Sequence, residues 1–197
     1  ESAKGTLAAP RIFIYPQFGR PTNTDSARAR VRALKAMGAD GIKLLGIDRD
    51  IMQAMEDEAH KQGLRVAHHV GVEETNAWDD IHFGTTSIEH WYGIPDAAIV
   101  GGVQDFPSYY NYNNETDRFR WAGHLWREAD PARLQMVLDS MVAHHVAWVP
   151  TLDIYEASRD LQRAKGQPWF GDYLHPTLED YFRPDPANHG SYFFGWT

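Results

Sequence analysis

The chain has 197 residues, of which 43% are hydrophobic and 23% charged, with a formal net charge of −8 and no cysteine. That balance belongs to an ordinary folded domain; it excludes disulfide scaffolds and thiolate metal sites, and an acidic chain without a run of Lys or Arg offers no phosphate-binding surface. No stretch approaches the roughly 20 apolar residues of a membrane span, and Glu1-Ser2-Ala3-Lys4 lacks the apolar core of a signal peptide, so the expected partner is a small molecule rather than nucleic acid or membrane.

In chain order, Arg11-Ile12-Phe13-Ile14-Tyr15 is β-branched and aromatic and predicts a buried strand, followed by a turn-rich loop through Gly19, Pro21 and Asn23. Val31, Leu34 and Met37 recur at helical spacing and predict a helix from Asp25 to Met37, with Thr24 or Asp25 as N-cap and Gly38 closing the end. Gly41-Ile42-Lys43-Leu44-Leu45 is the second strand. A helix over about Asp50 to Gln62 follows, with Ile51, Met55 and Ala59 on one face and Gly63 as terminator. Leu64 to His69 is the third strand, Glu73 to Ile81 a shorter helix, and Thr85 to His90 the fourth strand. Alternating strands and helices with short links predict an α/β fold with parallel strands and right-handed crossovers.

The pattern breaks between about Gly101 and Ala129, where Tyr109-Tyr110-Asn111-Tyr112-Asn113-Asn114 marks an aromatic, polar insertion of the kind that covers or lines a site. Asp130-Pro131 restarts it as N-cap and first helical residue, with Leu134, Val137, Leu138, Met141 and Val142 as the buried stripe. Val146 to Pro150 is the fifth strand. Arg159 to Thr197 shows no clean period beyond a turn of helix at Leu178 to Phe182.

Lys43, His69 and His90 each lie at or near the C-terminal end of a predicted parallel strand, which in a βα barrel is the active-site face. A lysine leaving an apolar strand has its ammonium penalised by desolvation, and reaction with carbon dioxide would convert it to an anionic, bidentate carbamate ligand. Taken singly, each has a structural alternative: a strand-end histidine can be hydrogen-bonded scaffold, and the lysine can reach solvent. Only one of His68 and His69 can aim at the barrel centre, since neighbouring strand residues face opposite ways. His60, His82, His124, His144, His145, His175 and His189 take the structural reading, His144-His145 as cations at a helix C-terminus. Glu73 and Glu74 are candidates for substrate contact or for complementing a helix dipole.

Gly38-Ala39-Asp40-Gly41-Ile42-Lys43, Val66-Ala67-His68-His69 and Gly84-Thr85-Thr86-Ser87-Ile88-Glu89-His90 together resemble the amidohydrolase superfamily, in its imidazolonepropionase-like or prolidase-like branch. The resemblance runs from about Pro10 to Val149-Pro150-Thr151-Leu152. It implies a (β/α)8 TIM barrel, with Lys43 as the carboxylated bridging lysine of the fourth strand and His69, favoured over His68, and His90 as metal ligands on the fifth and sixth. The ligand spacings of 26 and 21 residues fit one βα unit each.

Two departures from the family pattern stand out. There is no His-x-His pair, and no strand ending in a catalytic aspartate follows the seventh. A barrel of this kind takes about 250 residues, so the chain is expected to be a partial barrel, 1–197, completed by another segment of the same protein or by homo-oligomerisation. The implied function is hydrolysis of an amide-type C–N bond, in a dipeptide or cyclic amide, with one or two divalent metals, zinc foremost, activating water. Alternatives are a phosphotriesterase-like or lactonase-like hydrolase, and a non-catalytic binding or structural piece.

Overall fold

In the computed structural model, residues 4–6, 8–70, 75–102, 105–111, 114–152, 166–173 and 175–181 are described. They form helices α1 (Thr24–Ala36), α2 (Arg49–Lys61), α3 (Ala77–Phe83), α4 (Glu115–Glu128), α5 (Pro131–Ala143), α6 (Phe170–Tyr173) and α7 (Pro176–Tyr181). The strands are β1 (Gly41–Leu44), β2 (Arg65–His69), β3 (Ser87–Glu89) and β4 (Ala147–Val149). They make one four-stranded sheet in the order β1-β2-β3-β4, every pair parallel. The fold is therefore α/β with a parallel sheet in sequence order, and among the described residues the sheet is open rather than closed into a barrel.

Strand alternation divides the sheet into two faces. Ile42, Leu44, Val66, His68 and Ile88 are fully buried beneath the helices, whereas Lys43, Ala67, His69, Ser87 and Glu89, one residue out of phase, line the opposite, partly open face. One apolar cluster joins β1 and β2 to α1 and α2 through Val31, Leu34, Ile42, Met52 and Met55; a second joins β3 to α3, α4 and α5 through Ile81, Ile88, Leu125, Val137 and Met141. Helices cover one side of the sheet, and chemistry is left to the other.

Local chemistry explains the helix ends. Asn23, not Thr24 or Asp25, caps α1: its side chain accepts from Ser26 N at 2.8 Å while Ser26 Oγ accepts from Asn23 N at 3.2 Å, a reciprocal pair that the residues after it cannot form. Asn76 and Asp79 make the same box at α3, and Asp130 accepts from Arg133 N at 2.8 Å at α5. Gly38 and Gly63 follow α1 and α2 with φ of 85° and 63°, as expected of glycines that end helices.

The structure departs from the sequence expectations at several points. Arg11 to Tyr15 is not a buried strand: Ile12, Phe13 and Ile14 are exposed, and the sheet has four strands rather than five. The chain runs beside β1 through Gly41 N to Ile14 O at 3.3 Å, then Lys43 N to Pro16 O and Phe18 N to Lys43 O, both 2.9 Å, but Pro16 has no N–H to complete a ladder. The 101–129 insertion is no irregular loop, since α4 occupies half of it. Val142 is exposed, because it lies at the edge of the stripe set by Leu134, Val137, Leu138 and Met141. The predicted helix from Glu73 begins only at Ala77, and residues 71–74, with Glu73 and Glu74, lie outside the described residues.

Candidate functional site

The open face gathers the three residues singled out in the sequence. Lys43 ↔ Ala67 and His69 ↔ Glu89 are register partners, so Lys43, His69 and Glu89 sit on neighbouring strands of one face, and His90 follows at the end of β3. The rings of His69 and His90 meet edge-on with centroids 4.5 Å apart, and Tyr92 stacks on the other side of His69 at 5.8 Å.

His90 is held by three anchors from β4 and the residues just beyond it. Its N–H donates to Val149 O at 2.8 Å, its carbonyl accepts the indole N–H of Trp148, and its Nδ1 lies 2.8 Å from Thr151 Oγ1. Its φ of 66° falls in the left-handed region, sparsely used by non-glycine residues, so these contacts hold a conformation the backbone alone disfavours.

Electrostatics ties the cluster together. Burial pulls the Lys43 pKa below the ordinary lysine range, opposed in part by the Glu89 carboxylate. Burial also lowers the His90 pKa, helped by the positive charge of Lys43 and opposed by Glu89. Both shifts favour neutral nitrogen, the form that reacts with carbon dioxide or ligates a metal. Glu89 Oε1 accepts from Ser87 Oγ at 2.7 Å, which fixes the carboxylate on this face.

The donor set suits a divalent cation in part: two imidazoles side by side are side chains of the kind zinc takes as ligands. Among the described residues no group of three or more His, Asp and Glu side chains is arranged to hold a metal, so a third donor from these strands would have to be Lys43 in its carboxylated form.

His68 is committed elsewhere. It is fully buried on the helix side, with Nδ1 2.7 Å from Asp80 Oδ1. Beside this pair, Thr85 Oγ1 donates to the buried Glu56 at 2.8 Å, and burial, reinforced by Asp80 and opposed by the Thr85 bond, raises the Glu56 pKa to about 8. The adjacent histidines thus serve opposite faces, one as scaffold and one at the open face. Elsewhere His60 bonds Gly84 O, His144 bonds Ser140 O at the end of α5, and His124 accepts from Arg127. His189 lies outside the described residues.

Glu89, Tyr92, Trp148 and Thr151 were not singled out as site residues in the sequence. Period-two alternation from Lys43 and His69 would have placed Glu89 on the open face. The contacts of Trp148 and Thr151 with His90 span 58 and 61 residues and carry no local signal.

Among solved structures, the chain is similar to a Xaa-Pro dipeptidase with bound methionine in the active site, at 19% identity and a TM-score of 0.48, over 90% of this chain and 43% of that one. It is also similar to an uncharacterized protein at 15% identity and a TM-score of 0.38, over 83% of this chain and 54% of that one. The chain thus spans less than two thirds of either. No protein-family model matches it, and no curated protein does.

Proposed function

We propose that the chain carries part of the active site of a metal-dependent hydrolase that cleaves an amide-type C–N bond, in a dipeptide or a cyclic amide. The observation that carries this reading is the pairing of His69 and His90, with ring centroids 4.5 Å apart, on the partly open face that also bears Lys43. A divalent cation, zinc by the chemistry of the donors, would supply Lewis acidity toward water and a substrate carbonyl.

The chain's own residues would do the rest. His69 and His90 would hold the cation, and Lys43, carboxylated through its neutral amine, would be the anionic donor. Tyr92 orients His69 by stacking, and Glu89 keeps a negative charge beside the lysine. Ile12, Phe13, Ile14 and Val149 expose apolar surface, which a completing segment of the same protein or a second copy would cover.

The test is turnover by the zinc-loaded protein of dipeptides, cyclic amides, lactones and phosphotriesters, with His90→Ala as the control. Hydrolysis of dipeptides or cyclic amides, lost in the variant, is the expected result. Turnover confined to lactones or phosphotriesters would move the reaction to those electrophiles, and no turnover of any of them would leave a binding or structural piece.

A further inference from the structure

We propose that Thr151 is a positioning residue for His90: its hydroxyl accepts the ring's Nδ1–H, fixes the Nδ1-protonated tautomer, and so puts the ring's lone pair on Nε2 as its ligand atom. The proposal rests on the reading of His90 as a metal ligand and adds to it which nitrogen binds and what selects it.

Thr151 Oγ1 lies 2.7 Å from Pro150 O and 2.8 Å from His90 Nδ1. A carbonyl oxygen can only accept, and a hydroxyl has one proton to give. If that proton goes to Pro150, the contact with Nδ1 is a hydrogen bond only when the ring donates. If it went to Nδ1 instead, the hydroxyl and carbonyl oxygens would face each other at 2.7 Å with no proton between them. Of the two neutral tautomers, only Nδ1–H satisfies both contacts.

The surroundings favour the same arrangement. Thr151 has a φ of 53° and His90 a φ of 66°, and the contact between them joins two strand ends that are both in the left-handed region. The backbone of His90 is held by β4, through Val149 O and the Trp148 indole, which fixes the point from which the ring reaches Thr151. An imidazole whose second nitrogen donates to an oxygen is the usual support of a metal-ligating histidine, and loss of such support typically weakens metal binding about 10–100-fold.

The experiment is a long-range proton–nitrogen correlation spectrum of the metal-free protein labelled with 15N-histidine, with His90 assigned by comparison with His90→Gln. Zinc affinity is measured on the same samples. The expected result is the Nδ1–H tautomer of His90 in the unmodified chain and in Thr151→Ser, loss of that preference in Thr151→Val, and zinc binding about 10–100-fold weaker in Thr151→Val than in Thr151→Ser. An unmodified chain with His90 as the Nε2–H tautomer overturns the proposal, as does a Thr151→Val chain that keeps both the tautomer and the affinity. The first of these readings needs no Thr151 variant, so it decides the matter even if Thr151→Val fails to fold. An unmodified chain with the Nδ1–H tautomer that binds no zinc overturns the ligand role of His90 and leaves the tautomer assignment standing, which separates the two failures.

Discussion

Glu56 shows how one residue can set a pH dependence far from any reacting group. Its side chain is buried against Thr85 and Asp80, and its pKa is raised to about 8 from an ordinary 4.5. A carboxyl whose folded pKa is raised imposes no penalty below its unfolded value, where it is neutral in both states. Between the two values the unfolded chain releases the proton first, and stability falls by about 1.4 kcal/mol per pH unit until the folded pKa is passed. Urea unfolding across pH 4 to 9 is therefore expected to show this loss in the unmodified chain and a flatter profile in Glu56→Gln. His68 and His69 separate in the same assay. His68→Ala leaves buried Asp80 without its partner and is expected to cost about 3 kcal/mol or more, whereas His69→Ala, at the open face, is expected to cost less than about 2 kcal/mol. Comparable losses for the two would contradict their assignment to opposite faces. The sequence made that division visible as an alternation, but it did not say which histidine faces which way. The answer depends on Asp80, 12 residues on in α3, and so on packing rather than pattern.

At the scale of elements, the helices were legible where a regular apolar stripe met a closing glycine, as in α1 and α2, or a capping residue followed by proline, as in α5. Asp130→Ala removes the side-chain acceptor for Arg133 N and is expected to lower stability by about 1 kcal/mol in thermal or urea unfolding, with an exposed substitution such as Met136→Ala changing it less. Helix α4 escaped notice because Gly123 lowers its helix propensity and its aromatic residues blur any clean stripe; it is anchored instead by Leu125 in the core and by Trp126 stacked on Trp148 at 5.7 Å. The Arg11–Tyr15 segment misled in the opposite direction. Its β-branched and aromatic residues suit a strand, but Pro16 has no N–H to give, so the segment lies beside β1 through Ile14 O, Pro16 O and Phe18 N without a continuous ladder. Local composition states what a segment can become, and its neighbours decide whether it does.

For the molecule as a whole, the account depends on a difference between the two sides of one parallel sheet. The helix side holds apolar clusters and the buried His68–Asp80 and Glu56–Thr85 pairs, and the open side holds Lys43, His69, Glu89 and His90. The order of the candidate ligands along the chain was legible because each lies at or near the end of a strand; their approach in space was not, because it depends on the register of β1, β2 and β3 and on the left-handed turn at His90. The most direct test of the central claim is a calorimetric zinc titration of the unmodified chain beside His69→Ala, His90→Ala and, as a control at the end of α5, His144→Ala. The account predicts saturable zinc binding that is lost in His69→Ala and His90→Ala and kept in His144→Ala. Zinc binding that survives the loss of both His69 and His90, or an unmodified chain that takes up no zinc, would contradict it.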